Sequence, residues 1–126
     1  GTVPLKPSRN ALMVDVALNN APEQTFILDT GATYTSISRE LAEQLNLDLV
    51  NCDTVIITTA NGRIKVPKVV IDTIEINGLV AHDVEATVID VSHHSRFSGL
   101  LGLSFIRNFK LTIDTERQQL VFQKHS

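Results

Sequence analysis

The sequence predicts an all-β fold, a closed barrel or a sandwich with one or two short helices. Short stretches of alternating apolar residues recur along the chain, and turn residues such as Asn61-Gly62 and Asn77-Gly78 separate them. This pattern indicates roughly eight or more strands against a single clear helix. The 126 residues, of which 43% are hydrophobic and 20% charged, are typical of one globular domain that can bury a core.

The first predicted strands lead towards an acidic residue. Residues 1–10 hold two prolines and little periodicity, so we expect an irregular arm before a single domain over residues 11–126. A strand over residues 11–18 places four apolar side chains on one face, those of Leu12, Val14, Val16 and Leu18. After a turn, a second strand is predicted over residues 24–29.

The clearest helix follows a short extended piece at residues 34–38. Ser38 is a candidate N-cap, and an acidic residue lies in the first turn, where it interacts favourably with the helix dipole. Leu41 and Leu45 lie four residues apart and would share one face. The sequence therefore predicts a helix over residues 39–47.

A long hairpin and a second strand pair are predicted after this helix. Residues 55–60 and 63–72 flank Asn61-Gly62, a dipeptide typical of tight hairpin turns. Pro67 lies within the second arm and has no amide hydrogen to donate, so this arm should lie at a sheet edge or a bulge. The next pair, residues 73–76 and 79–90, surrounds a second Asn-Gly.

The last third of the chain is predicted to contain shorter elements. A polar loop at residues 92–98 precedes the sequence GLLG at residues 99–102. A short helical stretch at residues 103–109 and two strands, at residues 110–114 and 119–122, complete the chain.

Charge and composition limit the functional classes. The net charge of −3 and the lack of a basic run argue against nucleic acid as a partner. Cys52 is the only cysteine, which excludes an internal disulfide and a structural zinc site built on thiolates. No apolar run reaches the length of a membrane span, so we expect no direct membrane contact from this segment.

The chain starts with Gly1-Thr2-Val3-Pro4, without a methionine or a visible signal peptide. We therefore expect a processed piece of a longer protein. Its compartment is unknown, and a missing N-terminal segment could carry a periplasmic address or a membrane anchor.

The stretch FILDTGA at residues 26–32 carries the main functional hypothesis. Three consecutive apolar residues suggest a strand buried on both faces, and Asp29 stands at its end. Burying a carboxylate is costly, and one reason to do so is a second carboxylate that shares a proton with it. The alternative is an ordinary Asp-Thr-Gly turn, in which the aspartate bonds nearby amides and Gly31 takes a positive φ.

Two motifs together resemble a known family. Ile27-Leu28-Asp29-Thr30-Gly31-Ala32 is followed about 70 residues later by Gly99-Leu100-Leu101-Gly102 and a short helical stretch, with a long hairpin between them. This arrangement resembles the retropepsin-like aspartic proteases, which include the retroviral proteases and their bacterial relatives. The resemblance covers roughly residues 11–123 and implies the closed, barrel-like acid protease fold.

The resemblance implies a homodimeric aspartic endopeptidase that needs no cofactor or metal and acts on polypeptides. Each chain of such enzymes supplies one Asp-Thr-Gly, and Asp29 would face the partner's Asp29 across a twofold axis. Thr30 would bond across the dimer, Gly31 would allow a tight turn, and Ala32 would line the cleft floor. A supporting layer would pack beneath this loop, formed by Gly99, Leu100, Leu101 and Gly102.

The resemblance also assigns a flap, the hairpin that closes over bound peptide. Its tip would be Ala60, Asn61, Gly62 and Arg63, although an exposed hairpin with no such role is the alternative. Thr33 stands where retroviral enzymes often carry an aspartate, and the tip lacks tyrosine, so substrate preference is not predicted. The rival function is a non-catalytic or weakly active dimerisation or peptide-binding module with the same fold.

Other candidate sites are weaker. The histidines have no acidic residues at metal-binding spacing, so we expect no metal at His82, His93, His94 or His125. Ser36 and Ser38 lie close to Asp29, but no G-x-S-x-G motif indicates a serine hydrolase. Cys52 is expected to behave as a small apolar residue.

Overall fold

The computed structural model describes residues 2–4, 12–89 and 97–125. These residues form ten strands and two short helices, which confirms the all-β prediction. In chain order, the elements are β1 (Thr2–Pro4), β2 (Leu12–Leu18), β3 (Gln24–Leu28), β4 (Thr35–Ser38), α1 (Arg39–Gln44), β5 (Asp53–Thr59), β6 (Gly62–Ile76), β7 (Leu79–Ile89), β8 (Gly99–Leu101), α2 (Leu103–Ile106), β9 (Phe109–Asp114) and β10 (Gln119–Lys124).

Seven strands form a sheet that curls into a ring. Their order is β2-β3-β8-β4-β7-β6-β5, and β2 also pairs with β6 at Ala17↔Glu75 and Leu18↔Ile74. This second pairing closes the strands from β2 to β6 on themselves and leaves β5 attached to the outside. A separate three-stranded sheet has the order β1-β10-β9. The expected closed, barrel-like arrangement is therefore present in the form of this ring.

One hydrophobic core joins the two sheets and both helices. Val14, Val16 and Leu18 are buried on one face of β2, as their alternation predicts, and Leu12 packs at the margin of the core. Three aromatic rings connect α2 to the smaller sheet, with centroids 5.2–6.3 Å apart in tilted and edge-on contacts: Phe105, Phe109 and Phe122.

Helix α1 begins where the sequence predicts and ends earlier. Ser38 is the N-cap, and its Oγ accepts the Leu41 amide hydrogen at 3.1 Å. The helix ends at Gln44 instead of residue 47, because Asn46 adopts a left-handed conformation with φ of 57° that cannot continue a helix. Helix α2 is also shorter than predicted, since Phe109 already belongs to β9.

The hairpin of β5 and β6 forms, with pairs from Asp53↔Lys68 to Thr59↔Gly62. Its turn residues are Ala60 and Asn61, so the predicted Asn61-Gly62 turn was wrong by one residue, because Gly62 already belongs to β6. The predicted break between residues 72 and 73 was wrong, because β6 continues to Ile76 and pairs with β7 along its second half. Pairing with β7 begins only at Lys68. Pro67 therefore lies where β6 has a strand on one side, which agrees with the predicted edge position.

Some sequence predictions fall on residues that the structure does not describe. Of the predicted arm at residues 1–10, residues 2–4 are described, and they form β1 against β10. Of the polar loop at residues 92–98, only residues 97 and 98 are described, so His93 and His94 lie outside. The proposed domain boundaries remain a prediction. Neither helix in the described ranges has the length and apolar character needed to cross a bilayer.

Candidate active site

Asp29 directly follows β3 and starts the loop that leads to β4. Its amide hydrogen is donated to the Leu101 carbonyl, with an N···O distance of 2.9 Å. Its carboxylate oxygen Oδ1 accepts the amide hydrogen of Gly31, also at 2.9 Å. The first bond fixes the backbone of Asp29 on β8, and the second orients its carboxylate.

The Asp29 side chain is less buried in the single chain than the sequence predicts. Phe26 and Leu28 are buried, but Ile27 and Asp29 are only half-buried. The expectation that both faces of β3 are covered was therefore wrong for a single chain, because one face of the strand end remains partly open. This opening leaves the carboxylate within reach of a second molecule.

No cation neutralises Asp29 within the described part of the chain. The ion pairs found there join Lys68 to Glu85 and Arg117 to Asp114. The described ranges also contain no group of three or more histidine, cysteine, aspartate or glutamate side chains that could hold a metal ion. Among the described residues, the Asp29 carboxylate is held by a neutral donor, the backbone amide of Gly31.

The loop after Asp29 is exposed on one side and held by α2 on the other. Thr30, Gly31 and Thr33 are exposed, and Ala32 is half-buried. The Ala32 amide donates to the Asp29 carbonyl at 3.3 Å, which turns the chain back on itself. The first amides of α2 then donate to loop carbonyls, Leu103 to Ala32 at 2.8 Å and Ser104 to Thr33 at 3.0 Å.

Gly31 lies close to the Asp29 carboxylate, and its φ is not positive. Among the described glycines, only Gly62 and Gly78 have positive φ, so the simple turn interpretation was wrong about the φ of Gly31, whereas the bond that it expected between Asp29 and a nearby amide is present. A Cβ atom at Gly31 would lie 3.3 Å from Oδ1 of Asp29, which is tighter than an ordinary contact. A side chain here would require the Asp29 carboxylate to shift by a few tenths of an ångström.

The GLLG motif lies beneath the loop, in strand β8. This strand runs parallel to β3 on one side and antiparallel to β4 on the other, with Leu28 opposite Leu101 and Ile27 opposite Leu100. Leu101 is buried and Leu100 is half-buried. Because Leu28 pairs with Leu101 and Asp29 is the next residue, this register brings the two motifs into direct contact.

The two glycines of this motif leave no space for a side chain. A Cβ atom at Gly99 would overlap the carbonyl oxygen of Ser36. A Cβ atom at Gly102 would overlap the carbonyl oxygen of Tyr34 and lie 2.8 Å from that of Ala32. Because these neighbours are backbone atoms, they cannot rotate away, and glycine is what allows β8 to approach the loop.

The hairpin tip is exposed and held by local bonds. Thr59 Oγ1 donates to the Gly62 carbonyl at 2.8 Å and accepts the Asn61 amide hydrogen at 3.2 Å, and Gly62 adopts a φ of 115°. All four predicted tip residues, Ala60, Asn61, Gly62 and Arg63, are exposed. Their position above Asp29 in a complex remains a prediction.

Two buried hydroxyl groups behind the loop, those of Thr35 and Ser104, were not predicted from the sequence. Thr35 N–H donates to Ser104 Oγ at 2.8 Å, and Gly102 N–H donates to Thr35 Oγ1 at 3.3 Å. Both residues are buried. The available signal was their position, since each is a small hydroxylated residue two or three positions beyond one of the two motifs.

Comparison with known proteins places the chain in a family. A family model described as "Aspartyl protease" matches residues 14–105, which include both the Asp29 loop and β8. The match covers well over half of the chain. The chain therefore belongs to the aspartyl protease family.

Two individual proteins are similar to this chain. A crystal structure of a retropepsin-like aspartic protease from Rickettsia conorii matches with a TM-score of 0.75 and 24% identity, over 97% of this chain and 89% of that one. It supports the retropepsin-like fold. A protein described as uncharacterized, in the cobV 5' region of a Sinorhizobium species, is 27% identical over 110 residues. These residues are 86% of this chain but 46% of that protein, so the chain spans about half the length of this relative.

Proposed function

We propose that the chain is one half of a homodimeric aspartic endopeptidase that cleaves polypeptides. The observation that carries the proposal is the Asp29 carboxylate, which is oriented by the Gly31 amide at 2.9 Å and is only half-buried. Membership of the aspartyl protease family supports protease chemistry. The assignment of Asp29 as the catalytic residue is our own inference from this geometry.

The need for an acid and a base supports the dimer. Peptide hydrolysis requires one group that takes a proton from water and another that donates a proton to the substrate. The chain has a single Asp-Thr-Gly, so a second copy related by twofold symmetry would supply the second carboxylate. The exposed side of the loop, at Thr30 and Gly31, is the surface that such a copy would cover.

The two carboxyl groups would share one proton, because two like charges in close contact do not both ionise readily; aspartic proteases are the standard example. The ionised group takes a proton from water as the water oxygen bonds to the peptide carbonyl carbon. The protonated group donates its proton to the carbonyl oxygen. The carbon–nitrogen bond then breaks as the nitrogen takes the proton that the first carboxylate gained from water, and a hydroxyl of the tetrahedral intermediate returns a proton to the other carboxylate, so that the pair again holds one proton. In each copy, the Gly31 amide would hold Oδ1 of Asp29 in place.

The β5–β6 hairpin supports the proposal that the substrate is a peptide. One face of the β5–β6 pair carries Val55, Ile57, Ile64 and Val66 in register, and the Ile64 side chain is 43% exposed. An apolar hairpin face that closes over the site would exclude water and bind side chains of an extended peptide. This is the role that we assign to the flap.

The test is cleavage of a peptide library by the wild type and by Asp29→Asn, with products identified by mass spectrometry. We expect Asp29→Asn to reduce the cleavage rate by on the order of 10²–10⁴-fold, the usual contribution of acid–base catalysis. The matched control is Asp72→Asn, which changes an exposed aspartate on β6 and should cleave as the wild type does.

Two outcomes would contradict the proposal. Equal cleavage by the wild type and Asp29→Asn would assign the chemistry to another residue. Peptide binding by both forms without product from either would identify the chain as a non-catalytic binding module.

A further inference from the structure

A side-chain hydroxyl bridges two strands at the point where the Asp29 loop enters β4. Strands β4 and β7 pair in parallel, with Thr35 opposite Ala86. The Thr35 amide donates to Ser104 Oγ at 2.8 Å, and the Ser104 hydroxyl donates to the Glu85 carbonyl at 2.8 Å. One oxygen atom from α2 thus bonds a backbone group of each strand.

The bridge is shielded from water. Thr35 is 0% exposed and Ser104 is 4% exposed. A hydroxyl both donates and accepts, which is what a position between an amide and a carbonyl requires. The Thr35 hydroxyl lies 3.0 Å from Ser104 Oγ and accepts the Gly102 amide hydrogen at 3.3 Å. Two hydroxyl groups therefore satisfy three backbone groups, namely the amides of the buried residues Thr35 and Gly102 and the carbonyl of the half-buried Glu85, and removal of either hydroxyl leaves a buried amide without its partner.

The bridge fixes the far end of the Asp29 loop. The near end is held by the bond from the Asp29 amide to Leu101. At the far end, Ser104 makes two hydrogen bonds. Its amide donates to the Thr33 carbonyl at 3.0 Å, and its hydroxyl oxygen accepts the Thr35 amide hydrogen. A loop held at both ends presents its carboxylate in one direction.

We propose that Ser104 is a positioning residue for Asp29. Its hydroxyl holds the loop at a fixed distance from β7 and thereby sets the direction of the Asp29 carboxylate towards substrate. The inference rests on the proposed protease function, because it concerns the geometry of that site. Catalysis is sensitive to displacements of about 1 Å in reacting groups, so loss of the bridge should reduce turnover more than binding.

The test compares the wild type with three variants. Ser104→Ala removes the bridge. Ser104→Thr keeps a hydroxyl that can donate and accept. Asn108→Ala is the matched control, because the Asn108 side chain donates to the carbonyls of Ser104 and Phe105 at 3.0 and 2.9 Å, and its loss loosens α2 without breaking the bridge.

Two measurements are made at a temperature where thermal unfolding shows every variant to be folded. The first is kcat and KM on one peptide substrate. The second is amide hydrogen exchange of residues 32–35 in the free protein, which does not depend on activity.

We expect Ser104→Ala to lower kcat by about tenfold or more and to leave KM within about twofold, with faster exchange of the loop amides. Ser104→Thr and Asn108→Ala should retain wild-type kcat. If Ser104→Ala does not fold, Ser104→Cys replaces it, since a thiol keeps the size but is a weak donor.

The proposal is overturned if the variant without the bridge keeps wild-type kcat and loop exchange, or if Asn108→Ala loses as much activity as Ser104→Ala. If the wild type cleaves no peptide, the proposed protease function fails. In that case the exchange rates alone decide whether Ser104 holds the loop: unchanged exchange in Ser104→Ala rejects it, and faster exchange supports it.

Discussion

The amide nitrogen of Asp29 lies 2.9 Å from the carbonyl oxygen of Leu101. This hydrogen bond joins the two motifs that stand about 70 residues apart in the sequence. It also means that the backbone of Asp29 is positioned by strand β8 and not by its own loop alone. A substitution in either motif is therefore expected to affect the Asp29 site.

Subunit mixing tests whether two copies of Asp29 form one site. A wild-type sample that is re-equilibrated with a tenfold excess of Asp29→Asn should lose roughly 90% of its activity, since most wild-type chains then pair with an inactive copy. The measurement is the initial rate at constant wild-type concentration, with an unrelated protein added in equal excess as the control. Activity that does not change on mixing would mean that one chain is a complete enzyme.

Substitution of Gly99 tests the close packing beneath the loop. Gly99→Ala places a Cβ against the Ser36 carbonyl, and because backbone must move to relieve this overlap, we expect a loss of about 3 kcal/mol in unfolding free energy. Asp72→Ala is the control, since Asp72 is an exposed residue of β6 and its substitution should change the unfolding free energy by less than about 0.5 kcal/mol. Urea unfolding measures the stability of both variants, and an unchanged m-value shows that the midpoints can be compared. Equal midpoints for the two variants would contradict the packing argument.

Hydrogen exchange tests the flap assignment. The tip of the β5–β6 hairpin has exposed side chains and local bonds, so its amides should exchange faster than those in the middle of β7. A peptide-like transition-state inhibitor should slow exchange at residues 57–64 by about tenfold or more, because the hairpin closes on it. No change at these residues in a saturated complex would remove the flap assignment.

Stability at acid pH tests the loop after α1. Hydrogen bonds from the backbone amide and side chain of Asn51, and from the amide of Val50, lower the pKa of Asp48 from its ordinary value of 3.8. A carboxyl group whose pKa is lowered by folding stabilises the protein at pH values above its ordinary pKa. This stabilisation is lost as the pH falls through the pKa of the folded state. Asp48→Ala should therefore be less stable than the wild type at pH 7, and the difference should shrink below about pH 3.8. A difference of equal size in urea unfolding at pH 7 and pH 3 would contradict this assignment.

Local sequence signals were sufficient for most elements. Alternation of apolar residues predicted the buried face of β2, Ser38 predicted the start of α1, and Asn77-Gly78 predicted the turn between β6 and β7. These features depend on neighbours within a few residues, which is why the sequence shows them directly. The end of α1 was missed because it depends on the left-handed conformation of Asn46.

The sequence alone determined the family resemblance, the single Asp-Thr-Gly and the all-β class. Only the tertiary structure decided that Asp29 is half-buried in one chain, that its backbone is bonded to β8, and that Ser104 bridges β4 and β7. The physical reason is that these relationships join residues far apart in the chain. A carboxylate at the end of an apolar strand, or a serine at the start of a helix, does not reveal which distant backbone groups it will meet until the sheet has closed.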